Sequence, residues 1–185
     1  IPSTLNADYL DGLAVKMKDR PWDWLPLYRS LADNQANRFF KANGYDTYFA
    51  GTWWTPSRHS RVAEHNINHA AMPELGRLMF DNSVLGIALR SLGVSLGDGR
   101  IDQCTRENRK FAALRERAGS AERKYVLAHF LVPHPPYALN ADGSCRALDV
   151  ANAASREDNY VGQIGFANRE AIRLIDAILA GPRPS

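Results

Sequence analysis

The nine residues from Lys124 to Val132, Lys-Tyr-Val-Leu-Ala-His-Phe-Leu-Val, constrain the fold more than any other stretch of the chain. Apart from Lys124 at its start and His129, both alternating sets of side chains are apolar. That is the pattern of a strand covered on two faces, and such strands belong to parallel sheets flanked by helices. The spacing therefore predicts a central strand over 124–132, stopped by Pro133, Pro135 and Pro136. Upstream, a helix is expected from about Trp24 to Asn43, with Leu27, Leu31, Phe39 and Ala42 at helical spacing. Gly44 follows where a left-handed residue is wanted, and Tyr45–Ala50 is a short β-prone run closed by Gly51. Helix, glycine, strand is the signature of an α/β unit, so a mostly parallel sheet flanked by helices is the expected fold class.

Other elements are read in the same way. Ser3 or Asn6 is a candidate cap for a short helix carrying Tyr9, Leu10 and Leu13, and residues 51–72 read as an irregular loop rich in Trp, His and Arg. From Pro73 a helix would place Leu75, Leu78, Met79, Leu85, Leu89 and Leu92 on one buried stripe. A glycine-punctuated turn at Gly93–Gly99 leads to a polar helix over about 105–118, and a final helix is expected over 156–180 with Val161, Ile164, Ile172, Ile175 and Leu179 inward. All 185 residues fit one α/β domain, and a chain of that length can bury about two thirds of the surface it exposes unfolded.

Charge and apolar runs exclude several function classes. With 23 Lys+Arg against 20 Asp+Glu the formal charge is 23 − 20 = +3, and 18 of the cations are arginine. That excess is too small and too dispersed to point to nucleic acid. The densest basic stretch, Arg106, Arg109, Lys110, Arg115 and Arg117, is interleaved with Glu107 and Glu116 and reads as a solvated helix face. The longest near-apolar run, Tyr125–Val132, is far short of the roughly 20 residues of a membrane span. Cys104 and Cys145 lie far apart, consistent with one disulfide or with two free thiols. Ile1 stands where a methionine would start an unprocessed chain, so a processed or cut chain is expected.

Four motifs carry candidate chemistry. Gly93-Val94-Ser95-Leu96-Gly97 matches the nucleophile-elbow pattern, but a helix precedes it where the motif needs a strand, so a turn is expected. His65 and His69 would share a face if their segment were helical, which raises a zinc site, although Glu64 precedes the pair rather than standing inside it. Asn168 interrupts the apolar stripe of the last helix and would need partners if buried. His-Pro-Pro-Tyr, residues 134–137, puts an imidazole at the carboxyl end of the best strand, where α/β sheets gather ligands. There it can donate to an anionic oxygen or bind a metal.

Two of these stretches together resemble the sulfatase-like members of the alkaline phosphatase superfamily. The resemblance rests on Tyr125–Tyr137 followed by Asn159-Tyr160-Val161-Gly162-Gln163, Asn168 and Leu174–Leu179. Ser3–Asp11 is similar to the segment after the nucleophile, and Gly44–Trp54 to the second sulfatase signature. The group includes phosphoethanolamine and phosphoglycerol transferases. It implies a metal-dependent hydrolase or headgroup transferase acting on sulfate or phosphate esters, possible lipid headgroups among them. It also implies a membrane-anchored bacterial parent, an extracytoplasmic or periplasmic location, and zinc, calcium or manganese in the intact enzyme. Thr52 and Trp54 stand where sulfatases carry the lysine and histidine that hold sulfate, which turns the expectation toward phosphate. His134 matches the histidine beside the transferred headgroup. His134, Tyr137, Trp54 and Thr52 are thus the expected substrate-binding residues. The family's nucleophile and main metal ligands have no match here, so this chain is expected to be the middle of a larger catalytic domain, without catalytic or metal residues of its own. The alternative is a non-catalytic α/β interaction domain that uses the aromatic loop Thr52–Arg58 as a partner surface.

Overall fold

A computed structural model describes residues 2–20, 22–69, 74–92 and 99–182. The chain is α/β, with a three-stranded, all-parallel sheet and flanking helices, and its contacts divide it into two units. The first holds Ile1–Asn68 and Ala121–Phe130; the second holds His69–Ser120 and Leu131–Pro182.

In the first unit the sheet runs β2 (His65–Ile67), β1 (Asp46–Ala50), β3 (Lys124–Ala128). Tyr48 pairs with His65 and Val126 in register. The centre of the sheet is therefore β1, and the expectation that 124–132 is the central strand is corrected. Thr47, Tyr48, Phe49 and Ala50 are all buried, whereas β3 is half-buried and Val126 exposed. Thr47 reaches the interior because its hydroxyl and amide both bond the Glu64 carboxylate, at 3.3 and 3.1 Å. A polar letter in a short strand thus concealed the most buried segment of the sheet. Gly51 ends β1 in close contact with the backbone of Ser57 and Arg58, where a Cβ would collide.

The helix expected over 24–43 is two helices, α3 (Leu25–Ala32) and α4 (Gln35–Ala42), preceded by α1 (Pro2–Asn6) and α2 (Asp11–Lys16). Asn34 makes the break. Its amide nitrogen donates to the Leu31 carbonyl at 3.0 Å, and its oxygen caps α4 by accepting from the Asn37 amide at 2.9 Å. The break shifts the helical phase, so Phe39, expected in the core, is exposed. Phe40 takes its place, stacking on Tyr125 with ring centroids 4.1 Å apart. Gly44 is left-handed at φ 74°, as expected.

The second unit opens with α5 (Glu74–Asp81) and α6 (Val84–Ser91), again two helices where one is expected. Ser83 separates them, its hydroxyl accepting from the Gly86 amide at 3.1 Å. Leu78, Met79, Leu85 and Leu92 are exposed rather than buried. Pro73 and the Gly93–Gly97 motif lie outside the described residues. The long helices α7 (Gly99–Ala118) and α9 (Arg156–Ala180) pack on each other through Phe111 and Phe166, with the short α8 (Leu148–Ala153) before α9.

Both long helices turn a largely polar face inward. On α7 the expected solvated face is instead partly interior: Gln103, Arg106, Glu107 and Lys110 are buried beside Cys104, Phe111 and Leu114. Contacts among them offset part of the cost of burial, although Gln103 Nε2 has no hydrogen-bond partner among the described residues. Lys110 Nζ lies 3.1 Å from Glu107, and Arg106 donates to Gln103 at 3.3 Å and to the His69 carbonyl at 2.6 Å. Burial raises the Glu107 pKa and lowers that of Lys110, each opposed by the charge of the other. On α9 the inward residues are Asn159, Gln163, Phe166 and Glu170. Val161, Ile172, Ile175 and Leu179, expected inward, are 64, 60, 53 and 79% exposed, and Asn168 is exposed as well. No helix among the described residues is long and apolar enough to cross a membrane.

Candidate functional site

The segment after β3 is built as a platform. The Val132–Pro133 and Pro135–Pro136 peptide bonds are both cis, and the His134 amide donates to the Leu131 carbonyl at 2.6 Å. Further on, the chain folds back so that Leu139 bridges Cys145, and Ala138 and Leu139 are almost fully buried. Cys145 forms a disulfide with Cys104 on α7, which resolves the thiol alternatives.

Side-chain amides on the two long helices hold this platform. Gln163, with no exposed surface, accepts from the Ala138 amide at 3.2 Å and donates to the carbonyls of Pro133 and His134 at 3.2 and 3.4 Å. One turn earlier, Asn159 donates to the carbonyls of Ala151 and Ser155 at 2.8 and 2.9 Å and accepts from Arg146 at 2.9 Å. Asn108 of α7 donates to the Gly143 carbonyl at 2.9 Å, Arg169 donates to Ala141, and Arg100 donates to Tyr137 at 2.6 Å. Gln163, Asn108, Arg169 and Arg100 thus clamp loop backbone groups that would otherwise lack partners, whereas Asn159 ties the start of α9 to α8 and Glu170 pairs with Arg115, Arg169 and Arg173.

A groove of about 690 Å³ opens between this loop and the first turn of α9. Leu131, Pro133 and Pro135 make its apolar wall, and His134, Tyr137, Arg156, Glu157 and Tyr160 supply its polar groups. Ser155 starts the helix here by accepting from the Asp158 amide at 3.0 Å, which places Arg156 and Glu157 at the rim. His134 Nδ1 lies 2.7 Å from the Pro135 carbonyl. A carbonyl only accepts, so Nδ1 carries the proton. Nε2 of the neutral ring is left with its lone pair.

Two of the four expected substrate residues, His134 and Tyr137, therefore share one groove in the second unit. Thr52 and Trp54 share a turn in the first. Thr52 is fully buried, its hydroxyl 2.8 Å from Ser57 Oγ and accepting from the Trp54 amide at 3.1 Å, so it organises the turn 52–57. The Trp54 indole is partly exposed and meets Tyr28 edge-on with centroids 5.8 Å apart. The helix face that would align His65 with His69 does not form, because 65–67 is strand. Instead His65 Nε2 lies 2.9 Å from Asp46, whose other oxygen accepts from the Tyr48 hydroxyl at 2.7 Å. His69 faces Arg109 at 3.1 Å, and burial followed by that neighbouring charge lowers its pKa.

Among the described residues no group of three or more His, Cys, Asp and Glu side chains could hold a metal ion. The groove itself offers one imidazole nitrogen and the Glu157 carboxylate, short of the three or four ligands of a zinc centre, so these residues alone do not fit a divalent metal. Comparison of the chain with family profiles, with curated proteins and with solved structures returned no match.

No motif in the sequence pointed to a role for Arg156, Asn108 or Arg100, and Asn159, Tyr160 and Gln163 entered only as letters of a resemblance. The available signal was their spacing. Asn159, Gln163, Phe166 and Glu170 recur on one helical stripe, and a stripe of amides opposite a proline-rich loop is a candidate clamp.

Proposed function

We propose that this chain is the substrate-side part of a sulfatase-like hydrolase or phospho-headgroup transferase, with the His134 groove as the place where a phosphate or sulfate ester is held. The observation that carries the reading is the arrangement of the His134 imidazole, the Arg156 guanidinium and the Tyr137 and Tyr160 phenols around one groove beside a helix start. Arg156 donates to anionic oxygens in a fixed fork, and the tyrosine hydroxyls donate further bonds. His134, with its ring orientation set by Pro135, accepts a proton from the ester or its acceptor at Nε2, or donates from Nε2 once protonated. The nucleophile and metal chemistry of such an enzyme are expected from a longer protein containing this chain. The Cys104–Cys145 disulfide supports an extracytoplasmic location, since such bonds persist in oxidising compartments.

Binding of p-nitrophenyl phosphate and p-nitrophenyl sulfate, followed by calorimetry, tests the proposal. Hydrogen bonds to charged groups contribute about 1.5–3 kcal/mol, so His134→Ala or Arg156→Ala should weaken binding roughly 10- to 100-fold with the fold intact. Equal affinity in wild type and both variants, or no binding of either ester, would sink it.

A second reading, a non-catalytic interaction domain, is favoured by the outward apolar stripe of α9, Val161, Ile172, Ile175 and Leu179. Loss of a partner on Ile172→Glu, with ester binding absent in the wild type, would select it.

A further inference from the structure

The two walls of the groove come from different pieces of chain: the proline-rich loop that carries His134 and Tyr137, and the first turn of α9 that carries Arg156 and Tyr160. One fully buried side chain spans both. Gln163 stands one turn beyond Tyr160 on the same helix, and its amide brackets the loop on each side of the histidine. Its nitrogen donates to the carbonyls of Pro133 and of His134 itself, and its oxygen accepts from the Ala138 amide.

This bracket bears on the chemistry of the imidazole. His134 Nδ1 keeps its proton because the Pro135 carbonyl stands 2.7 Å away, and that carbonyl belongs to the bracketed stretch. Free of such a partner, a neutral histidine in water favours the other tautomer, with the proton on Nε2. Fixing the 133–138 backbone therefore decides which nitrogen of the neutral ring carries the lone pair.

We propose that Gln163 is a positioning residue that sets the tautomer of His134 and, through it, the affinity of the groove for an anionic ester. The ester part of this statement rests on the proposed function; the tautomer part does not. Asn159 provides the internal contrast. It lies one turn away on the same buried face and makes four bonds against the three of Gln163, but to Ala151, Ala154, Ser155 and Arg146 rather than to the histidine loop. If buried amides on α9 served stability alone, losing either would have the same consequence.

The experiment is imidazole 15N NMR of the intact chain, with thermal melting and calorimetric titration of p-nitrophenyl phosphate, on wild type, Gln163→Met, Gln163→Glu and Asn159→Asp. Wild type should show His134 protonated at Nδ1. Gln163→Met removes all three bonds and should move the signal toward the Nε2-protonated form while weakening ester binding roughly tenfold. Gln163→Glu keeps the shape and the Ala138 contact but sets a carboxylate against two carbonyls. It should show the same change, and it covers the case in which the methionine variant fails to fold. Asn159→Asp should lower the melting temperature while leaving the His134 signal in place. An unmoved His134 tautomer in folded Gln163→Met or Gln163→Glu overturns the inference, as does an equal shift in Asn159→Asp. A shifted tautomer with no ester binding in the wild type upholds the positioning role and removes the ester function instead.

Discussion

In the first unit β1 buries Thr47, Tyr48, Phe49 and Ala50 in succession, and its neighbours stack aromatic rings: Phe40 on Tyr125, Tyr45 against Phe40. In the second unit α9 buries Asn159, Gln163 and Glu170 around a single Phe166, while α7 buries Gln103, Glu107 and Lys110. The first interior combines non-directional burial of apolar surface with short neutral polar side chains, Asn34, Asn37, Thr47, Thr52, Ser57 and Ser60. The second adds buried ions and long side-chain amides, groups that are costly unless satisfied and whose bonds have direction. That difference fits what each unit presents. The 133–147 segment is held by such directional contacts, from Gln163 and Asn108 among others.

The contrast can be broken most severely at the buried pair. Lys110→Ala leaves the Glu107 carboxylate without its cation in the interior and should cost about 3–5 kcal/mol in urea unfolding, and Glu107→Ala a similar amount. The double replacement Glu107→Leu/Lys110→Met should recover most of that loss, because two apolar side chains remove both desolvation costs together. A double variant as unstable as the sum of the singles would mean the pair is not the energetic unit described here.

The disulfide comes next. It closes a separation of 41 residues, and removing it through Cys104→Ala/Cys145→Ala should cost about 2–4 kcal/mol in the second unit. Hydrogen exchange resolved by residue should show the loss around 138–146 first.

Glu170 sharpens the electrostatic side of the comparison. Burial alone would raise its pKa, but Arg115, Arg169 and Arg173 around it bring the net shift downward. A carboxylate with a folded pKa below its unfolded value stabilises fully above the unfolded value, about 4.3, and loses that contribution as pH falls through the folded one. Wild-type stability should therefore decline below about pH 4.3, and Glu170→Gln should flatten that decline while lowering stability at neutral pH by about 1–3 kcal/mol. A variant that keeps the wild-type acid profile would assign the effect to other carboxylates.

The smallest effect is expected on the outward face of α9. Leu179→Gln exchanges an exposed apolar side chain for a polar one and should change stability by less than about 0.5 kcal/mol. A loss of 2 kcal/mol or more, the range for burying a leucine, would mean that face is covered in solution.

The parallel α/β character was legible in the sequence because Gly44 and the flanking runs carry local signals: a left-handed residue after a helix, and β-prone letters before a glycine. The extent of α9, expected over 156–180, was also legible from its apolar period. The faces were not. Apolar periodicity assigns the inward side by assuming that burial follows hydrophobicity, and α7 and α9 bury amides and ions because a loop and a charge partner await them. The breaks at Asn34 and Ser83 escaped for a related reason. Each is made by a side chain bonding a nearby backbone group, a local competition that helical spacing does not register. His134 and Tyr137 stood out in the sequence because prolines flank them, whereas Arg156 and Tyr160 line the groove only through the packing of α9 against the loop.

The central claim is that the His134 groove holds an anionic ester. Its most direct test is a backbone amide chemical-shift map recorded while p-nitrophenyl phosphate is added to the uniformly labelled chain. The account predicts saturable shifts at the amide-bearing residues of 131–138 and 155–160, abolished in His134→Ala. Shifts confined to other regions, or none at saturating ester, would contradict it.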